Sequence, residues 1–88
     1  MQYLDSDLGY QSAGAIVDVH LKGTEANVML LDQTNFQHYR AQRDFRYVGG
    51  HFKQSPVVLQ VPHPGHWHAV VDLGGAGGRV EASVTVRS

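Results

Sequence analysis

The chain has no cysteine, only three prolines and a single tryptophan among its 88 residues. Without cysteine there is no disulfide framework, no thiolate metal centre and no redox thiol. Charge of one sign is also missing. Seven basic residues stand against eight acidic ones, a formal net charge of −1, which excludes the broad field of a protein that binds polyanions or acidic membranes by charge alone. No apolar run approaches the roughly 20 residues of a membrane-spanning helix. The opening Met1-Gln2-Tyr3-Leu4-Asp5-Ser6-Asp7 has neither the basic nor the apolar region of a signal peptide. The expectation is one soluble, cytoplasmic domain over residues 1–88 with no membrane association and no nucleic-acid partner. A domain this short buries only about 60–65% of its unfolded surface, so a surface groove or an edge strand is the binding surface it can offer.

What the chain does have is alternation, glycine and histidine. Val17, Val19 and Leu21 alternate with Asp18, His20 and Lys22, the period of two of a half-buried strand. Gly23-Thr24-Glu25 reads as a turn. Residues 26–31 follow as a strand apolar on both faces, which predicts an interior place in a sheet. Asp32-Gln33-Thr34-Asn35 supplies helix N-cap residues, with Phe36 and Tyr39 three apart on one side, so a short helical turn is predicted near 34–40. Phe45-Arg46-Tyr47-Val48 returns to strand character, Gly49-Gly50 reads as a break, and residues 51–55 as loop.

The C-terminal third reads as a three-strand meander. Val57, Leu59 and Val61 alternate inward, then Trp67, Ala69, Val71 and Leu73, then Val80, Ala82, Val84 and Val86. Its predicted turns are His63-Pro64-Gly65 and Gly74-Gly75-Ala76-Gly77-Gly78. About six or seven strands with no long helix predict an all-β fold, a compact antiparallel jelly-roll-like β-sandwich or a small barrel.

Two constellations carry chemistry. In a strand beginning at His66, the side chains of His66, His68, Val70 and Asp72 share one face, and imidazoles at i and i+2 lie close enough to share a metal ion. His63 or His51 could supply a third nitrogen, and Zn²⁺, Ni²⁺ or Cu²⁺ would suit such ligands. The bland alternative is a solvent-facing polar strand face with Trp67 buried behind it. The second constellation interleaves Phe36, Tyr39, Phe45, Tyr47 and Phe52 with Arg40, Arg43, Arg46 and Lys53. That mixture can stack bases or sugars and hold phosphates, although the same aromatics would also serve as core.

Other motifs are excluded on local grounds. The glycine run lacks the following Lys-Ser/Thr and precedes a strand, so it is no phosphate loop. Asp5-Ser6-Asp7-Leu8-Gly9 has Ile16 where a calcium loop needs its glutamate. The serines have no nucleophile-elbow context, and no enzyme is expected.

Several of these residues together resemble the bacterial DUF1883 domains: Asn27-Val28, Asp32, Asn35-Phe36 with Tyr39, Tyr47-Val48-Gly49-Gly50, Pro56-Val57, Val61-Pro62, Gly65-His66-Trp67 and Val71-Asp72-Leu73-Gly74-Gly75. The resemblance runs from about Tyr3 to Val86. It implies a small domain of uncharacterised function that occurs alone or joined to TIR signalling domains, in a recognition or adaptor role. It brings no catalytic residues with it. The resemblance also implies that some similar domains have serine or asparagine where His63 or His68 stands, which weakens the metal reading.

The expectation is a non-catalytic interaction module with no cofactor, recognising a protein partner or a small polar ligand through Asn35, Tyr39, Arg43, His51 and His66. The competing readings are a divalent-metal sensor using His63, His66 and His68 with Zn²⁺, nucleotide or sugar binding through the Arg/Tyr cluster, and a homodimer formed through an edge strand.

Overall fold

The computed structural model describes residues 3–23, 25–73 and 78–87. Its elements are β1 (Tyr3–Gln11), β2 (Ile16–Gly23), β3 (Ala26–Asp32), α1 (Gln33–Arg40), β4 (Val48–Phe52), β5 (Val57–Gln60), β6 (Gly65–Asp72) and β7 (Val80–Arg87). They form two separate antiparallel sheets, one with the order β1-β6-β3-β4 and the other β5-β2-β7. The fold is an all-β sandwich with one short helix, not a barrel. No helix among the described residues is long and apolar enough to cross a membrane.

The core lies between the sheets. Val17 and Val19 from β2 and Val57 and Leu59 from β5 meet Val28 and Leu30 from β3 and Trp67, Ala69 and Val71 from β6. Strand β3 is apolar on both faces because both are covered. Val28 and Leu30 face the second sheet, whereas Met29 and Leu31 join Phe36, Tyr39 and Val70 in a smaller cluster under α1. The interior place expected for this strand is thus the one it occupies, between β6 and β4.

Helix α1 starts as its sequence dictates. The Asp32 Oδ1 accepts the backbone N–H of Asn35 at 2.8 Å, satisfying one of the unpaired donors of the first turn. His38 and Arg40 occupy the last turn, where positive charge suits the helix dipole. Eight residues are too few for a helix to stand by itself; burial of Phe36 and Tyr39 against the sheet holds it in place.

Three expectations need correction, and a fourth difference is a strand that no expectation covered. First, the C-terminal third is not a meander: β5 and β7 flank β2, while β6 pairs with β1 and β3. The physical reason is burial. Every residue of β6 from Trp67 to Asp72 is buried, so this strand needs neighbours on both sides and cover on both faces. His63-Pro64-Gly65 therefore carries the chain from one sheet to the other. The Gly74–Gly78 run links strands of different sheets rather than closing a hairpin, and residues 74–77 lie outside the described residues.

Second, Gly49-Gly50 does not break the chain, and His51 and Phe52 are not loop; all four lie inside β4. At Gly49 the backbone has φ +138°, and a Cβ there would come within 2.0 Å of the Val28 carbonyl oxygen. Glycine permits the close pairing of β4 with β3 rather than ending a strand. Third, residues 43–47 are irregular, and only Val48 of the expected strand there is in β4. Fourth, β1 is an edge strand that no alternation announced. Its register against β6 shifts between Asp7 and Gly9, a bulge that breaks the period of two.

Candidate functional site

The outer face of the first sheet, beneath and beside α1, carries the polar residues in rungs. Strand pairing sets His51, Asn27, Asp72 and Tyr3 side by side across β4, β3, β6 and β1. Two rungs further along, Leu31, His68 and Asp7 are neighbours. His68 and Asp72 are four residues apart on one strand, roughly 13 Å. Each rung supports a polar cluster, one at each end of the helix.

At the first rung Asp72 is buried beneath an open groove. Its Oδ2 accepts the Tyr39 hydroxyl at 2.6 Å and its Oδ1 accepts the Asn27 amide at 2.9 Å. The Asn27 carbonyl oxygen faces His51 Nδ1 at 3.0 Å, so that ring nitrogen donates. The far side of the His51 ring lies 3.5 Å from Glu25. The result is a chain of hydrogen bonds that links the buried phenol, Asp72, Asn27 and the exposed His51 ring. Burial first, and then the Asp72 carboxylate, push the Tyr39 phenol above its ordinary value. It is therefore a donor throughout the physiological range.

The groove above Asp72 has a volume of about 550 Å³, with Phe45, Tyr47 and Tyr39 as aromatic lining and Gln42, Arg43 and His51 at its polar parts. Phe45 packs edge-on against Tyr39 with ring centres 5.2 Å apart, which holds the irregular 43–47 segment over the sheet. Three of the sequence-predicted binding residues, Tyr39, Arg43 and His51, thus line one groove. Asn27 and Asp72, which complete its floor, were not among the predicted site residues. A polar residue between buried apolar neighbours on β3 or β6 was the available signal.

Asn35 is not in the groove. Its side chain donates to Asp32 Oδ1 at 2.9 Å and accepts the Arg46 backbone N–H at 2.8 Å. It therefore ties the helix start to the segment after the helix. His66 lies in the second cluster.

That second cluster belongs to β1 and β6. His66 Nε2 donates to Asp7 Oδ1 at 2.7 Å, and the same oxygen accepts the Gly9 backbone N–H at 2.9 Å. The Gly9 N–H, followed by the His66 ring, lowers the Asp7 carboxyl below its ordinary value. His68 Nδ1 lies 3.0 Å from Asp5 Oδ1, and its Nε2 lies 2.6 Å from Gln33 Oε1. The His68 ring stacks on Phe36 with centres 3.9 Å apart, and His66 stacks on its other side at 5.1 Å.

The solvent-facing alternative for this strand face therefore fails at His68, which is 4% exposed. His63 does not join the cluster. It lies 3.9 Å from Asp32 and tilts against Trp67, whose indole N–H donates to the His63 carbonyl at 3.0 Å. His51 sits on the far rung. Aspartates 5 and 7, rather than a third histidine, complete the pair.

Comparison with curated proteins and with solved structures returns no significant match to either. The sequence profile of DUF1883, described as a domain of unknown function, matches residues 1–88. With the match spanning the whole chain, the protein belongs to the DUF1883 family.

Proposed function

We propose that this domain is a non-catalytic recognition module working in the cytoplasm, and that its groove beside α1 takes a small polar ligand or a polar side chain of a protein partner. The observation that carries the reading is the buried Asp72 carboxylate, fixed by Tyr39 and Asn27, beneath an open groove walled by aromatic rings. Apolar walls around a few convergent polar groups are the ordinary make-up of a ligand pocket. Arg43 is exposed at this groove, and its guanidinium has no hydrogen-bond or ion-pair partner among the described residues. It offers a bidentate contact to an anionic group. The absence of cysteine suits a reducing compartment.

The test is amide chemical-shift mapping against a panel of amino acids, sugar phosphates and nucleotides, paired with affinity capture from cell extract. Shifts confined to the amides around Tyr39, Arg43 and His51, with capture lost in Arg43→Glu and Tyr47→Ala, support the reading. Capture of every partner by both variants at wild-type level, with no groove shifts for any compound, removes it.

A further inference from the structure

We propose that Asp7, His66 and His68 form a binding site for a borderline divalent transition-metal ion of the Zn²⁺, Co²⁺ or Cu²⁺ type, with the Asp5 carboxylate beside His68 adding negative charge. The site is separate from the groove and does not depend on the function proposed for it.

The argument begins with convergence. One ligand atom each from Asp7, His66 and His68 lies within 4.8 Å of the other two. Donors on a tetrahedral ion with bonds of about 2.0–2.1 Å are themselves roughly 3.3 Å apart, so modest side-chain rotations close the set. The donors sit on two directly paired strands, with Asp7 opposite His68 in the register. Their backbone positions are therefore fixed by the sheet rather than by a loop.

The second observation is independent of that distance. His68 is buried, yet both of its ring nitrogens face oxygen atoms, Gln33 Oε1 on one side and Asp5 Oδ1 on the other. A neutral imidazole donates from one nitrogen only. In the neutral tautomer that donates to the Gln33 side-chain oxygen at 2.6 Å, the hydrogen sits on Nε2. Nδ1 is then a lone pair turned toward a carboxylate, an arrangement that a cation bound beside them satisfies.

The support behind the donors has the form of a metal site's outer shell. A ligating histidine ordinarily donates its other N–H to an oxygen that fixes ring and tautomer, and Gln33 stands in that place. Phe36 clamps the face of the same ring, and the Gly9 N–H orients Asp7. His66 and Asp7 are exposed, which leaves an entry path. Two nitrogens and a carboxylate without sulfur select the borderline ions. Ca²⁺ and Mg²⁺ prefer all-oxygen shells of six or more. Binding at His66 Nε2 moves that nitrogen's hydrogen to Nδ1 of the same ring, so one N–H bond is broken and one is formed.

The experiment is titration of the full chain, free of any affinity tag and of chelator, with Co²⁺ followed by visible absorption and with Zn²⁺ followed by calorimetry. The expected result is one ion per chain, ligand-field bands from Co²⁺, and their loss when Zn²⁺ displaces it. His66→Ala and Asp7→Asn change exposed side chains and leave the fold readable by circular dichroism. Each should weaken binding at least about tenfold, the lower end for loss of even an outer-shell partner. His63→Ala and His51→Ala should not. His68→Ala is avoided because the ring also packs on Phe36. Wild-type protein without ligand-field bands overturns the proposal. So does an affinity that is the same in wild type and in the His66→Ala/Asp7→Asn double variant, the mark of scattered surface histidines.

Discussion

Replacing Tyr39 by phenylalanine removes one oxygen atom from the floor of the groove and nothing else. The ring stays packed edge-on against Tyr3 and Phe45, within the cluster of Met29, Leu31, Phe36 and Val70. What is lost is a 2.6 Å bond to a carboxylate oxygen where both residues are buried. Hydrogen bonds to charged groups contribute about 1.5–3 kcal/mol, and a domain of this size shifts by about 4–8 °C per kcal/mol. The expected fall in Tm is therefore on the order of 6–24 °C. Calorimetry and urea unfolding should agree, with an unchanged m-value. Tyr47→Phe, altering a phenol that is 49% exposed, should stay within about 0.5 kcal/mol.

The pH dependence of Tyr39→Phe has a definite sign. The folded-state phenol is raised above its free value, so the neutral form is the one the fold favours. The wild-type advantage is complete below the free value near ~10 and is lost as pH rises through the higher folded value. A Tyr39→Phe cost below about 0.5 kcal/mol would refute the reasoning, because it would mean that water replaces the phenol and that Asp72 is not sealed.

Other perturbations read the remaining structure. Gly49→Ala forces a Cβ to within 2.0 Å of the Val28 carbonyl oxygen at φ +138°. It should cost at least about 1–3 kcal/mol from the backbone alone, seen as a lower urea midpoint. Gly50→Ala, with open space at its Cβ, should be tolerated. Asn35→Ala leaves the Arg46 N–H without its side-chain acceptor and should speed hydrogen exchange at that amide, at a cost of about 1 kcal/mol. Arg87 grips Asp18 through two bonds of 2.7 and 3.2 Å, and its guanidinium lowers the Asp18 carboxyl below the ordinary range. A depressed carboxyl stabilises above its free value and loses that contribution as pH falls through the folded one. The difference in urea midpoint between wild type and Arg87→Ala should therefore be full at neutral pH and vanish well below pH ~4.

The sandwich itself was legible because its strongest signals are local. The period of two in β2, the doubly apolar β3 and the Asp32-to-Asn35 helix start each report on one element and its immediate cover. Strand order was not legible, because neighbouring strands in sequence usually pair and nothing in β5, β6 or β7 says otherwise. The decisive fact is that β6 is buried on both faces. Its polar residues disguise this: His66, His68 and Asp72 read as a wet face, yet His68 and Asp72 are buried against polar partners. The same limit applies to the sites. His66 and His68 are two apart, so their shared face follows from the strand. Asp7 and Asp5 reach them from 59 and 63 residues away, a distance only the β1–β6 pairing closes. Asn35 and His63 were singled out by residue type, and residue type does not separate a helix cap or a corner from a binding group.

The placement of two polar clusters at opposite ends of one helix follows from lengths. Strand β6 has eight residues and α1 has eight. A strand rises about 3.3 Å per residue and a helix about 1.5 Å, so β6 extends roughly 26 Å while the helix extends roughly 12 Å and is about 10 Å wide. Whatever its orientation, α1 covers only about half of the strand's outer face. The covered middle carries Val70 with Met29 and Leu31. The ends must be polar, and they carry His66 with His68 on one side and Asp72 on the other. Phe36 and Tyr39, one turn apart on the helix, reach these two ends separately, Phe36 by stacking on His68 and Tyr39 by donating to Asp72. Polar groups buried at these ends need partners from neighbouring elements, and those partners, Asp5, Asp7 and Asn27 on strands and Gln33 on α1, are what turn the two strand ends into preorganised clusters.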